Sequence, residues 1–224
     1  MTFPQKEFFN KYPLLLDSEI KNSLFHFCAQ IDDFLHPLGI KKFTVVLSED
    51  KNIDVTIPND VNRRFQELGT IETIYGKVEI FYTKINNVNY SDIPIIFIDG
   101  NKLFTFHIEH IKQKVSKFFP EKYIVGNHSG NNYLIYSKEV TGRLWNIHKD
   151  AFDYKAHLVL TDCNQNFVWY KDKLVFKEKL EKDNFYIFKV NYFHTVEVSD
   201  YGCDGIRLHL VLDLISQDQQ TPQS

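Results

Sequence analysis

His148 and Asp150 close an apolar run in the second half of the chain, one residue apart, and both side chains can bind metal. On a strand, positions i and i+2 face the same way with Cα atoms roughly 6.5 Å apart, so an imidazole nitrogen and a carboxylate oxygen can converge on one ion. A third donor, His194, opens a later apolar run, and Arg207 lies in the run after that. Two histidines and one carboxylate on one face of an octahedron leave three positions open, a set that suits iron(II) with places kept for reactants.

Iron(II) alone does not oxidise an unactivated carbon, so such a site also needs a reducing co-substrate. A molecule of 2-oxoglutarate would chelate two open positions through its C1 carboxylate and keto oxygen. Its far carboxylate then calls for a buried cationic fork, and arginine serves better than lysine because it binds two oxygens at once. Arg207 has the residue type and the chain order for that task.

These residues need a scaffold of strands. After about Tyr123 the chain runs through eight short apolar-aromatic stretches: Asn132–Ser137, Leu144–His148, Lys155–Thr161, Phe167–Tyr170, Lys173–Lys177, Phe185–Val190, His194–Ser199 and Ile206–Leu214. That spacing predicts a mainly β fold, a double-stranded β-helix or jelly roll. In the last stretch Ile206, Leu208, Leu210, Leu212 and Leu214 share one face, and Arg207, His209 and Asp213 share the other. The aliphatic face needs a cover. Ile20, Leu24, Phe27, Ile31 and Leu35 recur at helical spacing within 17–37, and His107 to Phe119 reads as a second helix ended by Pro120. Strand-like runs at Phe43–Leu47, Ile53–Ile57, Ile71–Tyr75, Val78–Tyr82 and Ile93–Ile98, with a short helix over Asn59–Leu68, complete an α/β segment. We expect one folded unit: an N-terminal α/β buttress over 1–122, a jelly-roll core over 123–215 and a frayed tail over 216–224.

Composition bounds the partners. The 224 residues carry 26 Lys+Arg against 29 Asp+Glu, a net charge of −3, so there is no basic footprint and nucleic acid is not an expected partner. Aromatics reach 15%, with 20 Phe and 12 Tyr, which favours strands and a thick apolar core. Three cysteines, Cys28, Cys163 and Cys203, form no CxxC pair and point to a reducing compartment. Met1–Tyr12 carries both charge signs and does not resemble a signal peptide, and no apolar stretch approaches the roughly 20 residues that cross a bilayer. A cytoplasmic protein without membrane contact is the expectation, and its oligomeric state stays open.

The order HxD, His, Arg across one eight-strand region resembles the 2-oxoglutarate- and iron(II)-dependent oxygenases, especially the aspartyl/asparaginyl β-hydroxylase-like branch with its relatives of bacterial proline hydroxylases. The resemblance lies in YSKEVTGRLWNIHKD (Tyr136–Asp150), KAHLVL (Lys155–Leu160), FHTVEVSD (Phe193–Asp200) and GIRLHLVLDL (Gly205–Leu214). It implies that His148, Asp150 and His194 ligate Fe(II), and that Arg207, with Ser137, holds the distal carboxylate of 2-oxoglutarate. It also places His157 near the co-substrate and Gly142 in the loop before the first ligand. Lys155 stands where the family usually has arginine. The implied reaction consumes O2, decarboxylates 2-oxoglutarate to succinate and hydroxylates an amino acid or an Asp, Asn or Pro residue of a peptide or protein.

The remaining histidines, His26, His36, His107, His110 and His128, read as surface or core residues. Trp145, Phe152, Tyr154 and Trp169 are candidates for a pocket wall or for plain core packing. Lys155 reads as solvated, and the cysteines as passive thiols. From a different class stands a jelly-roll binding or scaffold protein with a structural or silent metal site.

Overall fold

The computed structural model describes residues 8–14, 16–46, 63–85, 94–98, 102–126, 132–150 and 152–217. In chain order it contains β1 (Phe9–Pro13), α1 (Ser18–Leu35), β2 (Lys42–Val46), β3 (Arg63–Thr73), β4 (Gly76–Ile85), β5 (Pro94–Ile98) and α2 (Lys102–Ser116). There follow β6 (Tyr123–Val125), β7 (Asn132–Ser137), β8 (Gly142–Arg143), β9 (Tyr154–Val159), β10 (Asn164–Lys171) and β11 (Leu174–Leu180). The last three are β12 (Asn184–Lys189), β13 (Phe193–Asp200) and β14 (Arg207–Ser216).

Alternation along β14 organises the two layers. Leu208, Leu210, Leu212 and Leu214 are buried against Leu24, Phe27, Ile31 and Leu35 of α1 in one continuous core. Each such fully buried side chain contributes about 1.5–3 kcal/mol. Arg207, His209, Val211 and Asp213 point the other way and are also buried, because a second sheet covers that face. The larger sheet runs β1-β12-β9-β14-β7-β2-β5-β4-β3, with β6 pairing to the end of β14; the smaller runs β11-β10-β13-β8. Among the described residues every pairing is antiparallel except β2 with β5. The two sheets form the expected jelly roll, and strands of the N-terminal segment extend its larger sheet. Phe8, Phe167, Trp169, Tyr186 and Phe188 fill a second, aromatic core between the sheets.

α1 starts where the spacing puts it, but Asp17 does not cap it with its side chain. That carboxylate instead reaches His110 Nε2 and Lys114 Nζ of α2, both at 3.0 Å, and joins the two helices. After α1, a single 3-10 turn at His36–Leu38 ends on Gly39 at φ +77°, a left-handed position that suits glycine. α2 begins at Lys102, five residues before the expected start, and ends at Ser116, ahead of Pro120.

Two expectations are corrected. Arg63 to Leu68 belongs to β3 rather than to a short helix. A one-residue bulge between Glu67 and Gly69 interrupts the period-two alternation there. Ser216 is not frayed: it ends β14 opposite Tyr123 of β6. The expected run Ile53–Ile57, His128 and the tail beyond Gln217 lie outside the described residues. Among the described residues no helix is long and apolar enough to cross a membrane.

Candidate metal centre

His148 and His194 meet as an isolated antiparallel bridge: the His148 amide donates to His194 O at 3.1 Å, and the His194 amide to His148 O at 2.8 Å. The expected strand Leu144–His148 is therefore not regular. Leu144 still donates to Val196 O at 2.9 Å, so residues 145–147 have Thr195 alone to face and loop outward. The Thr195 hydroxyl pins that loop through Trp145 O at 2.6 Å. The loop also turns the Asn146 carbonyl back onto His148 Nδ1 at 2.7 Å. His194 Nδ1 lies 2.9 Å from Tyr192 O in the same manner. A carbonyl can only accept, so both Nδ1 atoms carry a proton, which leaves Nε2 as the nitrogen of each ring that can ligate a metal.

Asp150 is held from the other sheet, its amide donating to Val190 O at 3.0 Å just past β12. Its Oδ1 lies 3.7 Å from His148 Nε2 and its Oδ2 lies 3.4 Å from His194 Nε2. The three ligand atoms fall within 4.8 Å of one another, so His148, Asp150 and His194 can hold one ion. Burial pushes the Asp150 carboxyl up, but His194 and Lys155 outweigh it and hold the group well below its ordinary range. Burial, aided by His194 and Lys155, pushes the His148 imidazole down, against the pull of the Asn146 carbonyl. A neutral imidazole beside an ionised carboxylate is the state that binds metal.

Lys155, expected to be solvated, is instead largely enclosed, its side chain 13% exposed. Its ammonium meets Tyr133 Oη at 2.9 Å, Asp150 Oδ2 at 3.0 Å and Asp213 Oδ1 at 3.4 Å. The first is a hydrogen bond and the other two are ion pairs, so the ammonium is spent on Tyr133 and on holding the two carboxylates in place. Asp213, in turn, is pushed up to about 6 by burial, with the Asp150 charge adding to the effect.

Arg207 is fully buried, stacked over Trp145 at 5.4 Å, and no carboxylate pairs with it among the described residues. Nε donates to Gln165 Oε1 at 2.5 Å and Nη2 lies 3.1 Å from His209 Nδ1, while Nη1 has no partner among the described residues. Burial lowers its pKa to about 10, which leaves it a cation at neutral pH. His157 is also buried, with Nδ1 unpartnered among the described residues, and burial plus the charges of Lys155 and Arg207 keep it neutral. Arg207, His157 and the three possible ligands line one cavity of about 130 Å³, walled by Trp145, Phe167 and Ile135.

Ser137 sits opposite Arg207 in the β7–β14 register but outside that lining, with its hydroxyl 3.3 Å from Tyr201 Oη. Of the four aromatic candidates, Trp145 lines the cavity; Trp169 belongs to the aromatic core, with Nε1 donating to Lys189 O at 2.9 Å. The three cysteines are free thiols. Residues missed in the sequence are Gln165, Tyr133 and the role of Lys155. Gln165 had a legible signal, since it is in phase with Phe167 and Trp169 on the interior face of β10.

No protein-family model matches the chain, and no curated protein is similar to it by sequence. Solved structures do share its fold. AviO1 from Streptomyces viridochromogenes aligns with a TM-score of 0.52 at 10% identity, over 97% of this chain and 91% of that one. IDO from Bacillus thuringiensis gives 0.50 at 12% identity, over 95% and 92%. A prolyl hydroxylase from Trichoplax adhaerens, solved with a hypoxia inducible factor oxygen degradation domain peptide fragment, gives 0.47 at 13% identity, over 96% and 87%. At these identities the first two likenesses show a shared fold over nearly the whole of each chain.

Proposed function

We propose that the chain is an Fe(II)- and 2-oxoglutarate-dependent dioxygenase that hydroxylates an amino acid or an Asp, Asn or Pro residue of a peptide or protein. The observation that carries this reading is the pairing of two features in one cavity. Two Nε2 atoms and one carboxylate converge, and a buried guanidinium that no carboxylate pairs among the described residues faces the same space. A structural zinc site would want four closed positions, commonly with thiolates, and would leave Arg207 unexplained.

His148, Asp150 and His194 would hold iron(II), and Arg207 would take the distal carboxylate of 2-oxoglutarate. With O2, these would supply the oxidising power that couples decarboxylation to succinate with hydroxylation of a C–H bond. The chain's own part is geometric and electrostatic. The Asn146 and Tyr192 carbonyls fix the ligand tautomers, and Lys155 fixes the Asp150 carboxylate. Trp145 and Phe167 keep the cavity wall apolar, and His157 offers a neutral nitrogen beside the co-substrate. The resemblance to the aspartyl/asparaginyl β-hydroxylase-like branch, and the assignment of Ser137 to the co-substrate carboxylate, belong to the same reading. In the latter, Ser137 would act from behind Arg207 and not from the cavity lining.

Anaerobic addition of Fe(II) and 2-oxoglutarate should give a visible charge-transfer band, and aerobic incubation should release succinate. Both should vanish in His148→Ala and Asp150→Ala. A protein that forms no band and releases no succinate is a scaffold, and the proposal is then wrong.

A further inference from the structure

Arg207, Gln165 and His209 form a closed ring of three side chains, all buried. Arg207 Nε meets Gln165 Oε1 at 2.5 Å, Gln165 Nε2 meets His209 Nε2 at 2.8 Å, and His209 Nδ1 meets Arg207 Nη2 at 3.1 Å. Each of these contacts needs one acceptor. Arginine offers none, the glutamine amide offers its oxygen, and a neutral imidazole offers one nitrogen. The ring has two acceptors for three contacts, so one contact sets N–H against N–H. Turning the Gln165 amide over leaves the count unchanged. Charging His209 would remove another acceptor, and burial together with Arg207 keeps that imidazole neutral.

The same guanidinium carries Nη1, which has no partner among the described residues, and it lines the cavity. With Nε engaged by Gln165, the side of the fork that remains for a bidentate partner is the Nη1/Nη2 end. A carboxylate there would take Nη1 and Nη2, so that His209 Nδ1 need no longer accept and its Nε2 is free to accept from the Gln165 amide.

We infer that Gln165 and His209 are positioning residues that keep Arg207 short of acceptors and aim its Nη1/Nη2 end at an incoming carboxylate. The inference rests on the dioxygenase reading, which makes that carboxylate the distal one of 2-oxoglutarate. Affinity for the co-substrate then depends on the ring remaining incompletely satisfied when no ligand is bound.

Gln165→Glu tests this, because a carboxylate at that position supplies the missing acceptor from within. The metal-free variant should melt at or above the wild-type temperature. Its Fe(II) form should bind 2-oxoglutarate at least about tenfold more weakly in anaerobic titration of the visible band. Gln165→Leu should also bind the co-substrate more weakly, but with a lowered melting temperature. Fe(II) affinity should be unchanged in both, since Gln165 touches none of the ligands. A merely structural glutamine would move melting temperature and co-substrate affinity in the same direction in both variants. A wild-type band that is undiminished in Gln165→Glu overturns the ring's role while the dioxygenase reading stands. Failure of the wild-type protein to form the band overturns that reading and the ring's role with it.

Discussion

Replacing Arg207 with methionine separates a binding arginine from a structural one. An arginine buried in a satisfied ion pair is expensive to remove: the stranded partner charge costs about 3–5 kcal/mol. Arg207 strands no charge, because no carboxylate pairs with it among the described residues. Its removal forfeits two hydrogen bonds to Gln165 and His209, each worth about 1.5–3 kcal/mol when charged. One of these is recovered when the two neutral groups pair with each other. Against the remainder stands the desolvation of a cation at zero exposure, several kcal/mol by itself. The terms nearly cancel, so metal-free Arg207→Met should lie within about 1.5 kcal/mol of wild type, a shift of about 3–6 °C in melting temperature for a chain of this size. Loss of a buried, charge-assisted carboxylate contact should meanwhile weaken 2-oxoglutarate by about 2–5 kcal/mol, or roughly 30- to several-thousand-fold. Calorimetric melting of the metal-free protein and anaerobic titration of the Fe(II) protein measure the two quantities separately. A variant that melts more than about 10 °C lower yet binds 2-oxoglutarate like wild type would refute the reasoning and make Arg207 a core cation.

Removing Lys155 should have the opposite balance. Lys155→Met leaves Asp150 and Asp213 facing each other unpaired, and urea denaturation at pH 8 should show a loss of about 3–5 kcal/mol. Asp213 sets a pH dependence. Its folded pKa of about 6 lies above the ordinary aspartate value of 3.8, so the unfolded chain ionises first and stability drains away as pH rises from about 4 to 6. Asp213→Asn should therefore be more stable than wild type at pH 7.5 by about 1–3 kcal/mol, with the advantage gone at pH 4. An advantage that grows toward low pH would contradict the assignment.

Much of this site could be read from residue order because strands write their geometry directly into sequence. The leucines at 208, 210, 212 and 214 announced both the sheet and the helix that covers it, and placed Arg207 on the opposite face. The HxD pair and His194 were legible for the same reason. What escaped depends on departures from period two. The bulge between Glu67 and Gly69 breaks period two where a short helix was expected and β3 stands instead. The loop at 145–147, invisible as such in the letters, is what delivers the Asn146 carbonyl to His148. Lys155 looked solvated because a lysine's surroundings come from other strands, here Tyr133 on β7 and Asp213 on β14. Gln165 was passed over because β10 begins three residues before its run of aromatics.

The backbone anchors of the three possible ligands fall on different layers. His148 and His194 are bonded to each other at the edge of the smaller sheet, and Asp150 is bonded to the chain leaving β12 of the larger. An ion gripped by all three would act as a rivet through the sandwich, clamping its open end. Loading and unloading metal is thereby tied to how far the two layers gape at that end, and hydrogen exchange there should slow far more than in the leucine-lined interior once the rivet is set.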